Sequence, residues 1–258
     1  MLLAIDVGNT NIVFALYDGG ERRGFWRCAT DKKRTSDEYG VWLTSLMAMN
    51  GISSTGIDGT ILASVVPGVT FNLCRLCRDY FRCEPMVVGD PSIDLGIQAL
   101  VDRPDEVGAD RLVNAVGAVM VATPPLIVID FGTATTFDVV DQDGNYRGGV
   151  IAPGINLSLE ALNAAAAKLP RIDIGRPAQV IGRNTVACMQ SGVYWGYVGL
   201  IEGLVARIRA EYGVASMAVV ATGGLAGLFS RGTVVIQKND EELTLRGLRQ
   251  IYERNCRS

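Results

Sequence analysis

This sequence predicts an α/β fold of two similar lobes with a ligand between them, and three observations carry that prediction. Asp6-Val7-Gly8-Asn9-Thr10-Asn11 returns in variant form at Asp130-Phe131-Gly132-Thr133-Ala134-Thr135, 124 positions later in a chain of 258 residues. Each copy closes an apolar run, Leu2–Ile5 or Leu126–Ile129, that reads as a buried strand. Around each copy the same order recurs, a meander of short strands followed by mixed helices and strands. The length lies near the size at which one core divides, so two domains are expected, 1–118 with the first motif and 119–258 with the second.

In the first half, strands are expected at Leu2–Ile5, Ile12–Tyr17 and Gly24–Ala29, with Asp18-Gly19-Gly20 as the turn between the last two. Thr35-Ser36-Asp37-Glu38 offers N-caps for a helix through Val41, Trp42, Leu43, Leu46 and Met47, which Asn50-Gly51 ends. Thr60–Val66 is a short β run halted by Pro67-Gly68, followed by an amphipathic helix over Phe71–Phe81 and a strand at Pro85–Val88. A helix near Arg111–Val121 is expected to join the halves. In the second half, strands at Leu126–Asp130, Thr135–Val140 and Gly148–Ile151 surround the Asp143-Gly144-Asn145 turn, and a helical region follows at 158–168. A long helix over Val186–Tyr212 carries Gly192, Gly196, Gly199 and Gly203, a spacing that fits close helix packing, a dimer seam or an ordinary buried helix. Met217–Ala221 is the next strand, ending at Thr222-Gly223-Gly224.

The repeated motif points to a nucleotide polyphosphate. Its glycine lets backbone N–H groups approach anionic oxygen, Thr hydroxyls add donors, and the strand-ending aspartate can hold a cation or its hydration water against phosphates. One D-x-G-x-T alone is as easily a strand-end turn; two in matching context favour phosphate. No P-loop, no G-x-G-x-x-G after a strand and no kinase catalytic-loop pattern occurs. The chain has no histidine, which excludes Ser-His-Asp catalysis and His-ligated zinc and leaves general-base work to a carboxylate, Lys, Tyr or Cys. The best base candidate is Asp110 in Val107-Gly108-Ala109-Asp110-Arg111, near a helix start that favours its charge, with Arg111 beside it as a donor fork for an anionic substrate. The same residues also read as an N-cap with a surface arginine. Gly223-Gly224 can pass beneath a nucleoside or be a plain loop, and Thr185 in Gly182-Arg183-Asn184-Thr185 can line a substrate pocket or start a helix.

A net charge of −3 argues against nucleic acid or an anionic membrane as the main partner. No apolar stretch approaches the ~20 residues of a membrane span, and no basic n-region precedes the apolar start, so a cytosolic protein is expected. Six cysteines are then expected as reduced thiols; Cys74-x-x-Cys77 with Cys83 suggests metal at first sight, but it lies on an amphipathic helix with no second pair.

Taken together, the chain closely resembles type III pantothenate kinases of the sugar kinase/Hsp70/actin ATPase superfamily, over nearly its whole length. The resemblance rests on Asp6–Asn11, Gly108–Arg111, Asp130–Asp138, Gly148–Gly154, Leu169-Pro170, Gly182–Thr185, Thr222–Ala226 and Leu243–Leu248. It implies two ribonuclease H-like lobes of actin-like ATPase fold and ATP-dependent phosphorylation of the 4′-hydroxyl of pantothenate, which opens coenzyme A synthesis. It makes Asp110 the base and places the substrate against Gly108, Ala109, Asp110, Arg111 and Thr185. It assigns ATP to Asp6, Val7, Gly8, Asn9, Thr10, Asn11, Ile12, Val13 and Thr133, with Gly223 and Gly224 at the nucleoside. Mg²⁺ would accompany the nucleotide at Asp6, K⁺ or NH₄⁺ would sit at Asp130, and two copies would pair through the second lobe. Two departures stand out: Val101 replaces a substrate-contacting tyrosine common three positions before the proline here numbered Pro104, and Val107 replaces the usual proline before Gly108. Another small-molecule kinase of the superfamily and a transcription accessory protein are the alternatives.

Overall fold

The computed structural model describes residues 1–165 and 169–256. Its contacts divide the chain into two units, Met1–Met120 joined by the C-terminal helix, and Val121–Glu241. Residues 166–168, the end of the helical region expected at 158–168, lie outside the described residues.

The first unit is built on β1 (Leu2–Val7), β2 (Asn11–Asp18), β3 (Glu21–Ala29), β4 (Gly59–Ser64) and β5 (Met86–Val87), in the sheet order β3-β2-β1-β4-β5. The meander β1–β2–β3 is antiparallel, whereas β4 and β5 add in parallel and so require crossovers. Helices α1 (Ser36–Met49) and α2 (Pro67–Phe81) supply them. A capping box starts α1: Glu38 N donates to Thr35 Oγ1 at 3.3 Å, and Thr35 N donates to Glu38 Oε2 at 2.7 Å. Pro67, expected to halt the β run, also opens α2, where its missing N–H costs nothing.

Period-two alternation decides what lies on each face of β1. Leu3, Ile5 and Val7 pack with Ile12, Phe14 and Leu16 against Tyr39, Leu43, Leu73 and Cys77 of α1 and α2. Leu2 and Ala4 pack with Ala15, Tyr17, Ile61 and Ala63 against Val113 and Val116 of α3 (Ala109–Val119) and against the C-terminal helix. Cys74 and Cys77 therefore belong to the core, and burial pushes the Cys77 thiol up to about 12, as expected of an unreactive thiol.

The second unit repeats the plan with β6 (Leu126–Phe131), β7 (Ala134–Val140), β8 (Tyr146–Pro153), β9 (Ala218–Gly223) and β10 (Lys238–Asn239), in the order β8-β7-β6-β9-β10. The meander is antiparallel and β6–β9–β10 is parallel, strand for strand as in the first unit. Helix α4 (Ile155–Ala165) follows β8, α5 (Thr185–Tyr212) precedes β9, and α6 (Ala226–Phe229) follows it. Tyr194, Tyr197, Val198, Ile201 and Val205 of α5 cover Ile127, Ile129 and Phe137, and the Phe229 ring stacks on Phe131 with centroids 5.3 Å apart.

The chain divides differently from the expected 1–118 and 119–258. The first boundary falls close by, but α7 (Leu243–Cys256) returns to the first unit, and α3 belongs wholly to that unit rather than bridging two. The cause is the bare second face of the first sheet, onto which Leu245, Leu248 and Ile251 fold. Glycines set how closely α7 approaches α3. A Cβ on Gly247 would press into the carbonyl oxygen of Val113, and one on Gly117 into that of Leu243. Thr244 Oγ1 then donates to the buried Asn114 Oδ1 at 2.7 Å. Gly247→Ala should therefore destabilise the protein by ~1–3 kcal/mol, the usual cost of overpacking, despite alanine's better helix propensity. Urea unfolding checks it: an unchanged or raised midpoint would rule out the close crossing.

Candidate functional site

Asp6 and Asp130 occupy the same station in the two units, the next-to-last residue of a central strand that is parallel to one neighbour and antiparallel to the other. The residues around each aspartate in its strand are buried while the aspartate itself is half-buried. Ligands of open α/β sheets collect at the carboxyl ends of parallel strands.

After Asp6, Gly8 N donates to Asn11 O at 3.0 Å and closes the turn. Thr30, at the end of β3, ties the turn down: its Oγ1 donates to Gly8 O at 2.7 Å and its N to Thr10 O at 2.9 Å. Sequence reading did not single out Thr30, because only the β2–β3 register places it there. Val7 and Ile12 are buried in the core, whereas Asn9, Thr10 and Asn11 are exposed and Asp6 and Gly8 half-buried.

The second turn is one residue shorter than the first. Asp6 pairs with Val13, but Asp130 pairs with Thr136, and Gly132 N donates to Ala134 O at 3.1 Å. Thr133 stands exposed at its tip. Two glycines from elsewhere in the unit enclose it. Gly154 N donates to Thr133 O at 3.1 Å, and a Cβ on Gly154 would come within 2.7 Å of Gly132 O. Gly223 has a left-handed φ of 89°, and a Cβ there would stand 2.6 Å from Asp130 Oδ1 and 2.7 Å from Phe131 O. The place of Gly223 is thus beside Asp130, whereas space is open around Gly224. Tyr197 of α5 braces the same turn from behind, its hydroxyl 2.5 Å from Thr135 Oγ1 and donating to Pro153 O at 3.0 Å. Asp138 is fully buried and accepts from Thr136 Oγ1 at 2.8 Å and Tyr146 OH at 3.0 Å, so it holds the meander together. Gly154 and Tyr197 escaped sequence reading; the glycine closing Gly148–Gly154 was the only trace of either.

Gly108, not Asp110, is the N-cap of α3, and Asp110 lies one residue inside the first turn. Its Oδ1 accepts from Arg111 N at 2.8 Å. A Cβ on Gly108 would stand 2.6 Å from that oxygen and 3.6 Å from Val65. Val65 N in turn donates to Val7 O at 3.1 Å, so in the first unit the start of α3 meets the segment paired with the end of β1. Desolvation raises the Asp110 carboxyl above the ordinary 3.8, against the opposing pull of the Arg111 N–H and charge. Arg111 is half-buried rather than a free surface group. Thr185 is the exposed first residue of α5, capped by Asn184, whose Oδ1 accepts from Ala187 N at 2.9 Å. Val101 is half-buried in the loop before α3, and Val107 closes a short helical turn by donating to Pro104 O at 3.3 Å.

Among the described residues no cluster of three or more acidic or sulfur ligands could hold a metal by itself. The single carboxylates of Asp6 and Asp130 fit an ion that brings most of its ligands with it, as Mg²⁺ does on nucleotide phosphates. Phe131 O beside Asp130 adds an oxygen donor of the kind a monovalent cation takes. No described helix is long and apolar enough to cross a membrane.

The model of the family described as Type III pantothenate kinase matches residues 2–207. Curated relatives of that description include one from Paramagnetospirillum magneticum, 66% identical over 99% of this chain and 98% of its own length. Another, from Rhodospirillum rubrum, is 64% identical over 99% of both. Among solved structures, a protein described as a Baf family transcriptional activator from Campylobacter jejuni superposes with a TM-score of 0.63 at 16% identity, over 99% of this chain and 100% of its own. A ROK hexokinase from Thermus thermophilus gives 0.50 at 14% identity, over 100% and 99%. At such identities the structures speak for the actin-like ATPase fold alone.

Proposed function

The chain belongs to the type III pantothenate kinase family, and on that premise we propose how its residues carry out the family's reaction. The protein is a phosphotransferase that phosphorylates pantothenate in coenzyme A biosynthesis. The observation that carries the assignment of roles is the half-buried Asp110, raised by desolvation at the head of α3 and freed from capping by Gly108.

Asp110 accepts the proton of the 4′-hydroxyl as that oxygen attacks the γ-phosphorus of ATP; the bond from the γ-phosphorus to the bridging oxygen breaks, and ADP leaves. Desolvation strengthens Asp110 as a base, and Arg111 N–H holds its other duty, orientation. Arg111 and the Gly108–Ala109 main chain position pantothenate, whose carboxylate suits a guanidinium fork, and Thr185 adds a hydroxyl. Asp6, the Gly8–Asn11 turn and Thr133 orient the phosphates, and Gly223-Gly224 lie under the nucleoside. Asp6 would hold Mg²⁺ directly or through water, where the ion would offset phosphate charge, and Asp130 would hold K⁺ or NH₄⁺. Free thiols throughout and an acidic surface charge support a cytosolic setting without nucleic-acid or membrane partners.

The outer face of α5 supports a homodimer. A Cβ on Gly192, Gly196 or Gly199 would meet nothing within 4 Å, and Ala206 and Ala210 continue an exposed face that an isolated helix would line with charge. A second copy packing there explains small residues where solubility calls for large polar ones.

Asp110→Asn should lower kcat by ~10²–10⁴-fold while keeping shape, and activity within a few-fold of wild type would reject the base. In the wild type, kcat should fall as pH drops through a pKa above 3.8. A carboxyl raised on folding contributes stability only while protonated, and that contribution is lost as pH rises through the folded pKa; at neutral pH the Asn variant should therefore unfold no earlier than wild type.

Activity should require K⁺ or NH₄⁺. Gly223→Ala, which forces Asp130 Oδ1 or the left-handed backbone to move, should raise the K⁺ concentration for half-maximal rate several-fold. Equal rates in Na⁺-only buffer would dismiss the cation site.

Sedimentation should show a dimer, and Gly196→Arg should yield monomers that lose pantothenate affinity more than ATP affinity. A fully active wild-type monomer would overturn the shared pocket.

A further inference from the structure

We propose that the first unit carries a second anion site, separate from the catalytic turns, for a small ligand bearing a di- or oligophosphate group. The site is a cavity of about 310 Å³ between the β2–β3 turn and α7, lined by Tyr17, Gly20, Arg22, Glu242, Arg246 and Arg249. Three guanidiniums converge on it, although the chain as a whole carries a net charge of −3. Arg246 and Arg249 are three apart on α7 and so share a face, while Arg22 comes from β3.

How Arg22 and Arg249 are held favours a ligand over a closed surface ion-pair network. The Arg249 guanidinium lies over the Tyr17 ring at 5.6 Å, and the Arg22 guanidinium over the Phe25 ring at 4.9 Å. Ring faces orient a guanidinium without using its N–H groups. Arg249 gives one N–H to Gly20 O at 3.2 Å and pairs with Glu253 at 3.4 Å, so two of the five donors of a guanidinium are engaged. Arg22 gives one to Glu242. Glu242 is the single carboxylate in the lining, and it stands where an arriving anion would stand. Tyr17, raised above 10.0 chiefly by burial and then by Glu242, keeps its proton at neutral pH and adds a neutral donor.

Planar forks around a small cavity match phosphate oxygens, which they bind two at a time. The volume has room for a pyrophosphate-sized group and none for a macromolecule. The site is also independent of the catalytic turn. Tyr17 pairs with Leu2 at the far end of β1, whereas Ile12 pairs with Val7 beside the turn, ~17 Å away at the rise of a strand.

The test is titration of the full-length protein with inorganic pyrophosphate at low salt, read from the backbone amide resonances of Gly20, Arg22, Arg246 and Arg249. Those amides should shift saturably in the wild type. Arg246→Gln/Arg249→Gln should weaken binding at least tenfold, and Glu242→Gln, which removes the internal competitor, should tighten it. Both variants should keep kcat within about twofold, and ATP should bind the pocket no more tightly than pyrophosphate if phosphates alone are read. Shifts confined to Gly8–Asn11 and Gly132–Thr133, or equal dissociation constants for wild type and Glu242→Gln, would overturn the proposal even if the double variant folded poorly.

Discussion

Backbone that comes closer than a side chain would allow is the constraint on which the rest of this structure depends. Gly108 admits the Asp110 carboxylate, Gly223 admits that of Asp130, and Gly154 lies against the Gly132–Thr133 turn. Each would bring a Cβ within 2.7 Å of a neighbouring oxygen, closer than real Cβ atoms come. The glycines thus let polar atoms stand close together at a strand end where a side chain would keep them apart. The main cost is entropy in the unfolded chain, and the two sheets supply the burial that offsets it.

The same device places Asp110, the base in the mechanism we propose. Helix α3 carries Asp110 at its head and is locked from behind by α7 through Gly117, Gly247 and the Thr244–Asn114 bond. A residue that must be both desolvated and mobile enough to meet a hydroxyl needs a rigid platform, because small displacements cost rate steeply. Here the platform is the second face of the first sheet, completed by a helix from the opposite end of the chain. Positive charge is gathered locally in a chain of net charge −3, as where Arg22, Arg246 and Arg249 line one cavity.

The two turns share one plan and differ in how it is supported. Sheet order and pairing repeat, and both aspartates keep their station, yet the second turn loses one residue and gains Gly154 and Tyr197 as supports in place of Thr30. A shorter turn presents Thr133 at its tip, where the longer one presents Asn9 and Thr10.

The sequence by itself determined the strands other than β10, because the continuous apolar runs of β1 and β6 and the flanking Gly and Pro punctuation are local. It determined the cap of α1, since Thr35 and Glu38 act within one turn, and the absence of histidine confined the choice of base. It also held the motif order that resembles the family. Only the tertiary structure decided that α7 completes the first unit, that Gly223 faces Asp130, that Thr30 and Tyr197 brace the turns, and that Arg22 pairs with Glu242 just before α7. Those contacts join residues from 20 to more than 200 positions apart, and a sequence pattern records which residues avoid water, not which buried partners they will find.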